Sequence, residues 1–322
     1  MDYRLAAALL RKQDQILILT HRRPDGDTIG SAAALCHGLR NLGKTAYVLH
    51  NPDAHDLFTP YFEGLTAPEN FSPQFVLTVD TAALDLIPDN ANHLVDQIDL
   101  CIDHHGSNSG YAKESCVDAS CAACGELMYL ILKELGSVTE TMAMLLYVAI
   151  STDTGCFVFS NTTPQTHRIS AELMELGCSH EWVNKRHFRT KSLARLKLES
   201  LLTQEMVLLD EGRTVIVAIT LELIARVGAN EEDLENIASV LEQLKGVENA
   251  VTLRELRPSE YKISLRTGRS LNASAVCALL GGGGHPSAAG CTFPGNLEQS
   301  RAAIISAIAK IQEESLRHAV LK

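Results

Sequence analysis

Short apolar runs that end in polar residues recur through the first half of the chain, with helical stretches between them. QILILT (15–20) has the length of a strand; a polar loop follows, then the helical stretch TIGSAAALCHGLRNLG (28–43), with Gly43 placed as a C-cap. TAYVLH (45–50), QFVLTVDTA (74–82) and DLCIDHH (99–105) are further runs of strand length. This β–loop–α–β rhythm predicts an α/β fold with a mainly parallel sheet flanked by helices. Residues 120–202 are mostly helical in pattern, with helices expected at 120–135, 139–151, 164–177 and 191–202. The pattern changes near Gln204. EMVLLDEGRTVIVAIT (205–220) predicts a hairpin turning at Glu211-Gly212, and AVTLREL and YKISLRT two strands turning around Pro258-Ser259. A helix over 272–280, a glycine run and a helix over 296–317 complete a smaller α+β domain. The expected division is 1–187, a helical linker over 188–205, and 206–322.

Bulk properties narrow the function classes. A chain of 322 residues accommodates two ordinary domains, and 46% hydrophobic with 21% charged residues is an ordinary globular composition. No apolar run approaches the roughly 18–20 residues that span a bilayer. The N-terminal MDYRLAAALLRKQDQ has only a short apolar patch and is expected to be an amphipathic first helix, not a secretion signal. The expected address is the cytoplasm, with no membrane partner. Nine cysteines, an odd and scattered set in a chain this large, do not suggest a disulfide framework. The pair Cys121 and Cys124 lacks the four ligands of a structural zinc site, and CAACGELMYLILKEL is better read as a helix with small residues on one side. The formal net charge, 28 − 39 = −11, is wrong for gripping long nucleic acid, which takes a basic stripe. It suits a small anionic substrate met by bound metal.

Four motifs carry chemistry, and three of them end a predicted strand, where loops of an open α/β sheet converge on a ligand. THRRPDGDTIGS (20–31) puts His21, Asp25 and Asp27 on one loop, with Gly26 allowing a tight turn. Asp80 ends the strand QFVLTVD, and Asp103, His104 and His105 end DLCIDHH. Asp153, in STDTG (151–155), follows the apolar helix MAMLLYVAI. Each alone has a plain structural explanation: an N-cap at Asp25 or Asp27, a cap at Asp80 or Asp153, a satisfied histidine pair. Four together in an alternating strand pattern point to metal. Two carboxylates and an imidazole so close repel or strain without a cation. Mixed His and Asp donors suit Mn²⁺, and there are enough for the two ions that favour in-line displacement at phosphorus.

These motifs resemble those of the DHH phosphoesterase family, whose triplet stands here as Asp103-His104-His105. GGGGHPSAAG (281–290) resembles the signature of the DHHA1 substrate-binding domain, so the resemblance spans nearly the whole chain and makes 1–187 the DHH domain and 206–322 the DHHA1 domain. Within the family the chain is similar to the stand-alone bacterial oligoribonuclease and pAp-phosphatase (nanoRNase) group, including TDTGCFVFSNTTPQTHRIS (152–170). The resemblance implies one metal on His21, Asp25 and Asp80 and a second on Asp27, Asp80, His104 and Asp153, so that Asp80 bridges. It implies that His105 faces the scissile phosphate as a contact or proton donor. SCAACG (120–125), where relatives often carry serines, is a small departure.

The second domain has its own logic. Gly282, Gly283 and Gly284 let backbone N–H groups approach an anion, His285 follows at once, and Arg266 at a strand end can fork onto a terminal phosphate. Together with the resemblance this predicts a phosphoesterase that holds the far end of a short nucleotide across an interdomain cleft. The expected substrates are short oligoribonucleotides or 3′-phosphoadenosine 5′-phosphate (pAp). Cyclic di-AMP or pApA hydrolysis is the nearest alternative; a pyrophosphatase and a catalytically silent nucleotide sensor rank lower. Oligomeric state, a homodimer included, is left open.

Overall fold

Asp2 starts the first helix, α1 (Tyr3–Lys12), by accepting the Leu5 N–H, and the helix buries Ala6, Ala7 and Leu10 while Arg4, Arg11 and Lys12 are exposed on its other side. It is the amphipathic helix that the N-terminal pattern predicts. The computed structural model describes residues 1–136, 138–234, 237–268 and 270–320; the final two residues of the expected 206–322 domain lie outside them. The chain divides into two compact units, Met1–Thr190 and Lys191–Lys322.

In the first unit β1 (Ile16–Leu19) leads through a polar loop into α2 (Gly26–Asn41), which ends at Leu42 with Gly43 in the left-handed region (φ 77°). β2 (Ala46–Val48), β3 (Phe75–Val79), β4 (Ile98–Asp103) and β5 (Glu114–Val117) complete a five-stranded sheet of order β2-β1-β3-β4-β5 in which every pairing is parallel. Both faces are covered, which is why the central strands read as continuous apolar runs. Ile16, Ile18, Leu77, Val79, Leu100 and Ile102 pack into one core with the helices, and Leu17, Leu19, Val76 and Ile98 into another with Ile87, Ala91 and Leu94. The link from β3 to β4 is built from 3-10 turns and not an α-helix. β5 has a single buried residue, Cys116, so no apolar run marks it in the sequence.

Four helices follow: α3 (Cys124–Leu135), α4 (Glu140–Asp153), α5 (Pro164–Glu175) and α6 (His180–Phe188). α6 buries only Val183, so it carries no helical periodicity for a sequence reading to find. It is held instead by polar and ring contacts. His187 Nε2 lies 2.7 Å from Tyr61 Oη, its ring stacks on Phe58 at 5.4 Å between centroids, and Arg186 donates to the Leu57 carbonyl at 3.1 Å. Burial first and the Arg186 charge second push the His187 pKa down from 6.5 to about 4. The unfolded imidazole therefore takes up a proton that the folded one refuses. Stability present above pH 6.5 is lost progressively as the pH falls toward 4. Melting curves between pH 7.5 and 5 should show a steeper decline for the native chain than for His187→Gln; equal slopes would rule out this histidine as the source.

The second unit opens with α7 (Leu193–Glu205), which lies within the segment expected to be a helical linker; Leu198 and Leu202 are buried against Val215, Val217 and Ile219. β6 (Val207–Leu209) and β7 (Thr214–Ile219) form the antiparallel hairpin turning through 210–213. α8 (Leu221–Val227), α9 (Glu231–Leu234) and α10 (Ile237–Leu241) lead to β8 (Asn249–Arg257) and β9 (Glu260–Thr267), the second expected strand pair. Next come α11 (Ala273–Ala278), β10 (Gly283–His285), β11 (Ala288–Pro294) and α12 (Leu297–Val320). The six-stranded sheet has the order β10-β11-β9-β8-β7-β6, with only β7 and β8 parallel. Ile263, Leu265, Val251 and Leu253 face α11 and α12, and Val215, Val217 and Ala250 face the α7–α10 side. The last two residues of the glycine run, Gly283 and Gly284, belong to the edge strand β10.

Candidate metal centre

The parallel sheet brings the acidic and imidazole residues to one place because each follows the C-terminal end of a strand or helix. β1 ends at Leu19, and its loop carries His21 and Asp25. Asp25 caps α2 by accepting the N–H groups of Asp27 (3.0 Å) and Thr28 (3.2 Å), so the capping explanation and the site explanation hold together. Asp80 directly follows β3 in the left-handed region (φ 55°), a conformation that Asp and Asn tolerate better than other side chains; its N–H donates to the Ile102 carbonyl at 2.8 Å. Asp103 ends β4, with His104 and His105 next. Asp153 is the last residue of α4. It reaches Asp27 because α2 and α4 run closely past each other. A Cβ on Gly26 would lie 2.4 Å from Thr152 Oγ1, and one on Gly30 2.4 Å from the Leu145 carbonyl oxygen.

Asp80 stands between two groups. Its Oδ2 is 3.8 Å from His21 Nε2, which is also 3.8 Å from Asp25 Oδ1. Its Oδ1 is 3.5 Å from His104 Nε2, which is 3.6 Å from Asp27 Oδ2 and 3.7 Å from Asp153 Oδ2. His21, Asp25 and Asp80 each offer a ligand atom within 4.8 Å of the others, as do Asp27, His104 and Asp153. A third such set, Asp80, His104 and His105, overlaps both. The two outer histidines are oriented alike: His21 Nδ1 lies 2.8 Å from the Arg22 carbonyl and His104 Nδ1 3.2 Å from that of Cys121. A proton on each Nδ1 leaves the Nε2 lone pair aimed at the carboxylates, as in neutral metal-ligating imidazoles. His105 differs, because its Nδ1 is already held by Asp103 Oδ1 at 2.8 Å.

The electrostatics are those of a cation site. Burial, then the neighbouring Asp153 and Asp25, push the Asp27 carboxyl well above its usual range. Asp80 is raised for the same reasons, by burial and then by Asp27, Asp25, Asp103 and Asp153. Asp153 is raised by burial against the opposing pull of His104. At Asp25 burial is outweighed by His21 and the capping N–H groups, and the pKa falls. Asp80 Oδ1 is sealed from solvent and has no hydrogen-bond partner. An unpartnered buried carboxylate oxygen among four other acids is costly unless a cation meets it. The donors, mixed carboxylate and imidazole, fit divalent transition ions.

Supporting groups not apparent in the sequence lie behind these residues. Asp27 accepts the N–H groups of Cys124 (2.6 Å) and Gly125 (2.9 Å) at the start of α3. The small residues of CAACG were the available signal, since they let this helix end come close. Asn108 donates to Asp103 Oδ2 at 2.7 Å, and Asn51 to the His21 carbonyl at 2.9 Å. Asp103 is completely buried; His105 and Asn108 overcome burial and hold its pKa down, and it in turn raises that of His105.

In the second unit, register places His285 opposite Ala288 and Ala288 opposite Arg266. Directly paired residues share a sheet face, so Arg266 and His285 sit in one row, two strand spacings or roughly 10 Å apart, with a small alanine between. Arg266 is half-buried and His285 exposed. The glycines divide. A Cβ on Gly282 would lie 2.2 Å from the Gly290 carbonyl oxygen and one on Gly284 2.6 Å from that of Ala288, so both serve the close hairpin. Gly283 faces open space.

Comparison with known proteins follows the same division. Residues 15–150 match the model of the DHH family, N-terminal domain, and residues 213–314 that of the DHHA1 domain. The chain is 33% identical over 311 residues to the bifunctional oligoribonuclease and PAP phosphatase NrnA of Thermus thermophilus, covering 95% of this chain and 93% of that one. To the protein of the same name from Bacillus subtilis it is 28% identical over 287 residues, covering 87% and 90%. Among solved structures, an exopolyphosphatase-related protein from Bacteroides fragilis is similar with a TM-score of 0.87 over 97% of both chains; at 22% identity that likeness is one of fold.

Proposed function

Because the chain belongs to the DHH family and carries a DHHA1 domain, we propose that this metal-dependent nucleotide phosphoesterase hydrolyses short oligoribonucleotides and pAp, loaded with two Mn²⁺ ions. The observation that carries the reading is Asp80, whose two oxygens each face a separate His/Asp group and one of which has no partner of its own. His21, Asp25 and Asp80 would hold one ion, and Asp27, Asp80, His104 and Asp153 the other. Bound there, divalent ions lower the pKa of water to give a nucleophile at neutral pH and screen the phosphoryl charge. The chain's own part is to orient. α3 holds Asp27 through two N–H groups, and the Arg22 and Cys121 carbonyls fix the tautomers of His21 and His104. With Nδ1 held by Asp103, His105 presents Nε2 to the substrate, as hydrogen-bond donor to the phosphate or proton donor to the leaving oxygen.

Substrate choice is proposed to lie in the second domain, where Arg266 and His285 on one sheet face, beside Gly283 and the hairpin glycines Gly282 and Gly284, recognise a terminal phosphate. The proposed address is the cytoplasm; among the described residues no helix is long and apolar enough to cross a membrane. Purified protein should turn over pAp and a five-nucleotide RNA with Mn²⁺ and lose both activities to a chelator. Comparison with pApA, cyclic di-AMP and pyrophosphate ranks the alternatives. Rapid pyrophosphate hydrolysis with inert pAp and RNA would overturn the assignment.

A further inference from the structure

The segment after Asp153 is unusual in its backbone and in what it exposes. Gly155, Cys156 and Phe157 are three consecutive residues in the left-handed region, with φ of 56°, 58° and 67°. Two of them carry side chains that disfavour it, so the surrounding structure must hold the turn. Several bonds do so. The N–H groups of Val158 and Phe159 both donate to the Thr154 carbonyl at 3.0 Å, and Phe157 N–H donates to Thr154 Oγ1 at 3.2 Å. Asn161 Nδ2 donates to the Asp153 carbonyl at 3.1 Å and to the Ala122 carbonyl at 3.0 Å, tying the loop to the metal centre itself. Phe157 turns inward, stacking on His167 at 5.4 Å between centroids. Phe159 turns outward and is 58% exposed, beside Val158 at 79%. Its ring edge rests on Gly155, where a Cβ would lie 2.5 Å from Cζ.

An exposed phenylalanine alone needs no explanation. This one is seated in a glycine cradle two residues beyond a proposed metal ligand, on a loop bonded to that ligand's own carbonyl. A ring fixed in advance loses little freedom when a flat partner settles on it. Every nucleobase has such a face, and stacking on an aromatic side chain is tolerant of base identity. We propose that Phe159 is the stacking platform for a nucleobase of the substrate whose phosphate is held on the Asp153 side of the centre. The inference rests on the nucleotide phosphoesterase reading and deepens it: the first domain distinguishes a nucleotide from a bare phosphoester before the second domain contributes.

The test compares kcat/KM for pAp with that for ribose 3′,5′-bisphosphate, which lacks only the base. Phe159→Ala should reduce this ratio about tenfold, mainly through KM for pAp, and Phe159→Trp should retain it. An unchanged ratio in the alanine variant, or equal loss in the tryptophan variant, overturns the platform. A native protein that hydrolyses neither compound with Mn²⁺ overturns the phosphoesterase reading instead. The platform is then read without turnover, by equilibrium titration with adenosine 5′-monophosphate and ribose 5-phosphate in the presence of Mn²⁺. The native chain must favour the adenosine compound about tenfold and Phe159→Ala must not; equal affinities in the native chain reject it.

Discussion

Asp80→Asn is expected to reduce Mn²⁺-dependent phosphoester hydrolysis by more than about 100-fold, beyond the 10–100-fold typical of residues that only support a metal ligand. The same substitution should leave the metal-free protein at least as heat-stable as the native chain. Both outcomes follow from one feature. The Asp80 carboxylate is buried among Asp27, Asp25, Asp103 and Asp153, all of which oppose its charge, and its Oδ1 is bonded to nothing. Without an ion this is a liability, and an amide removes it. Asparagine also tolerates the left-handed backbone at this position (φ 55°), so the fold has no reason to suffer. Active sites commonly trade stability for such an arrangement. The measurements are kcat/KM over a Mn²⁺ titration and the melting temperature after chelation. Retained activity would end the site assignment, and a lower metal-free melting temperature would end the electrostatic account.

The second large effect is at His105. His105→Gln should lower kcat by about 10²–10⁴-fold, the range for a group that transfers a proton in the transition state. Affinity for Mn²⁺, read by calorimetric titration, should change only a few-fold. The distinction matters because Asp80, His104 and His105 also lie close enough to share an ion. Geometry favours the other role: Nδ1, which lies 3.6 Å from Asp80 Oδ1, is committed to Asp103 at 2.8 Å. Loss of metal affinity along with turnover would make His105 a ligand.

The first domain was legible because its chemistry is local in sequence. Three of the four motifs follow a strand that both faces bury and the fourth ends the apolar helix α4, and uninterrupted apolar runs such as QFVLTV point directly to the residue beyond them. What was not legible depends on contacts distant along the chain. Nothing near Asp103 indicates that Asn108 must donate to it, and the two N–H groups that hold Asp27 come from residues 97 and 98 positions away. α6 escaped because ring contacts and an Arg186 bond hold it, not an apolar stripe. In the second domain the strand pairs were visible from alternation, but β10, which begins within the glycine run, was not. Glycine gives no alternation, and only the register with β11 shows that Gly282 and Gly284 serve a close hairpin. The same register puts Arg266 and His285 in one row, a relation that sequence separation conceals.

The approach of α2 to α4 has a consequence for ion choice. Asp27 and Asp153 sit at the adjoining ends of these helices, and the distance between them is fixed where Gly26 meets Thr152 and Gly30 meets Leu145 and Ala149. Ions of different radius require different distances to their oxygen ligands, near 2.1 Å for Mg²⁺ and about 2.3–2.6 Å for Ca²⁺. The pair of glycines would thus set the spacing between Asp27 and Asp153, the two proposed ligands. Anyone wishing to retune this protein toward a larger cation should leave every carboxylate in place and shim the helices apart at Gly30.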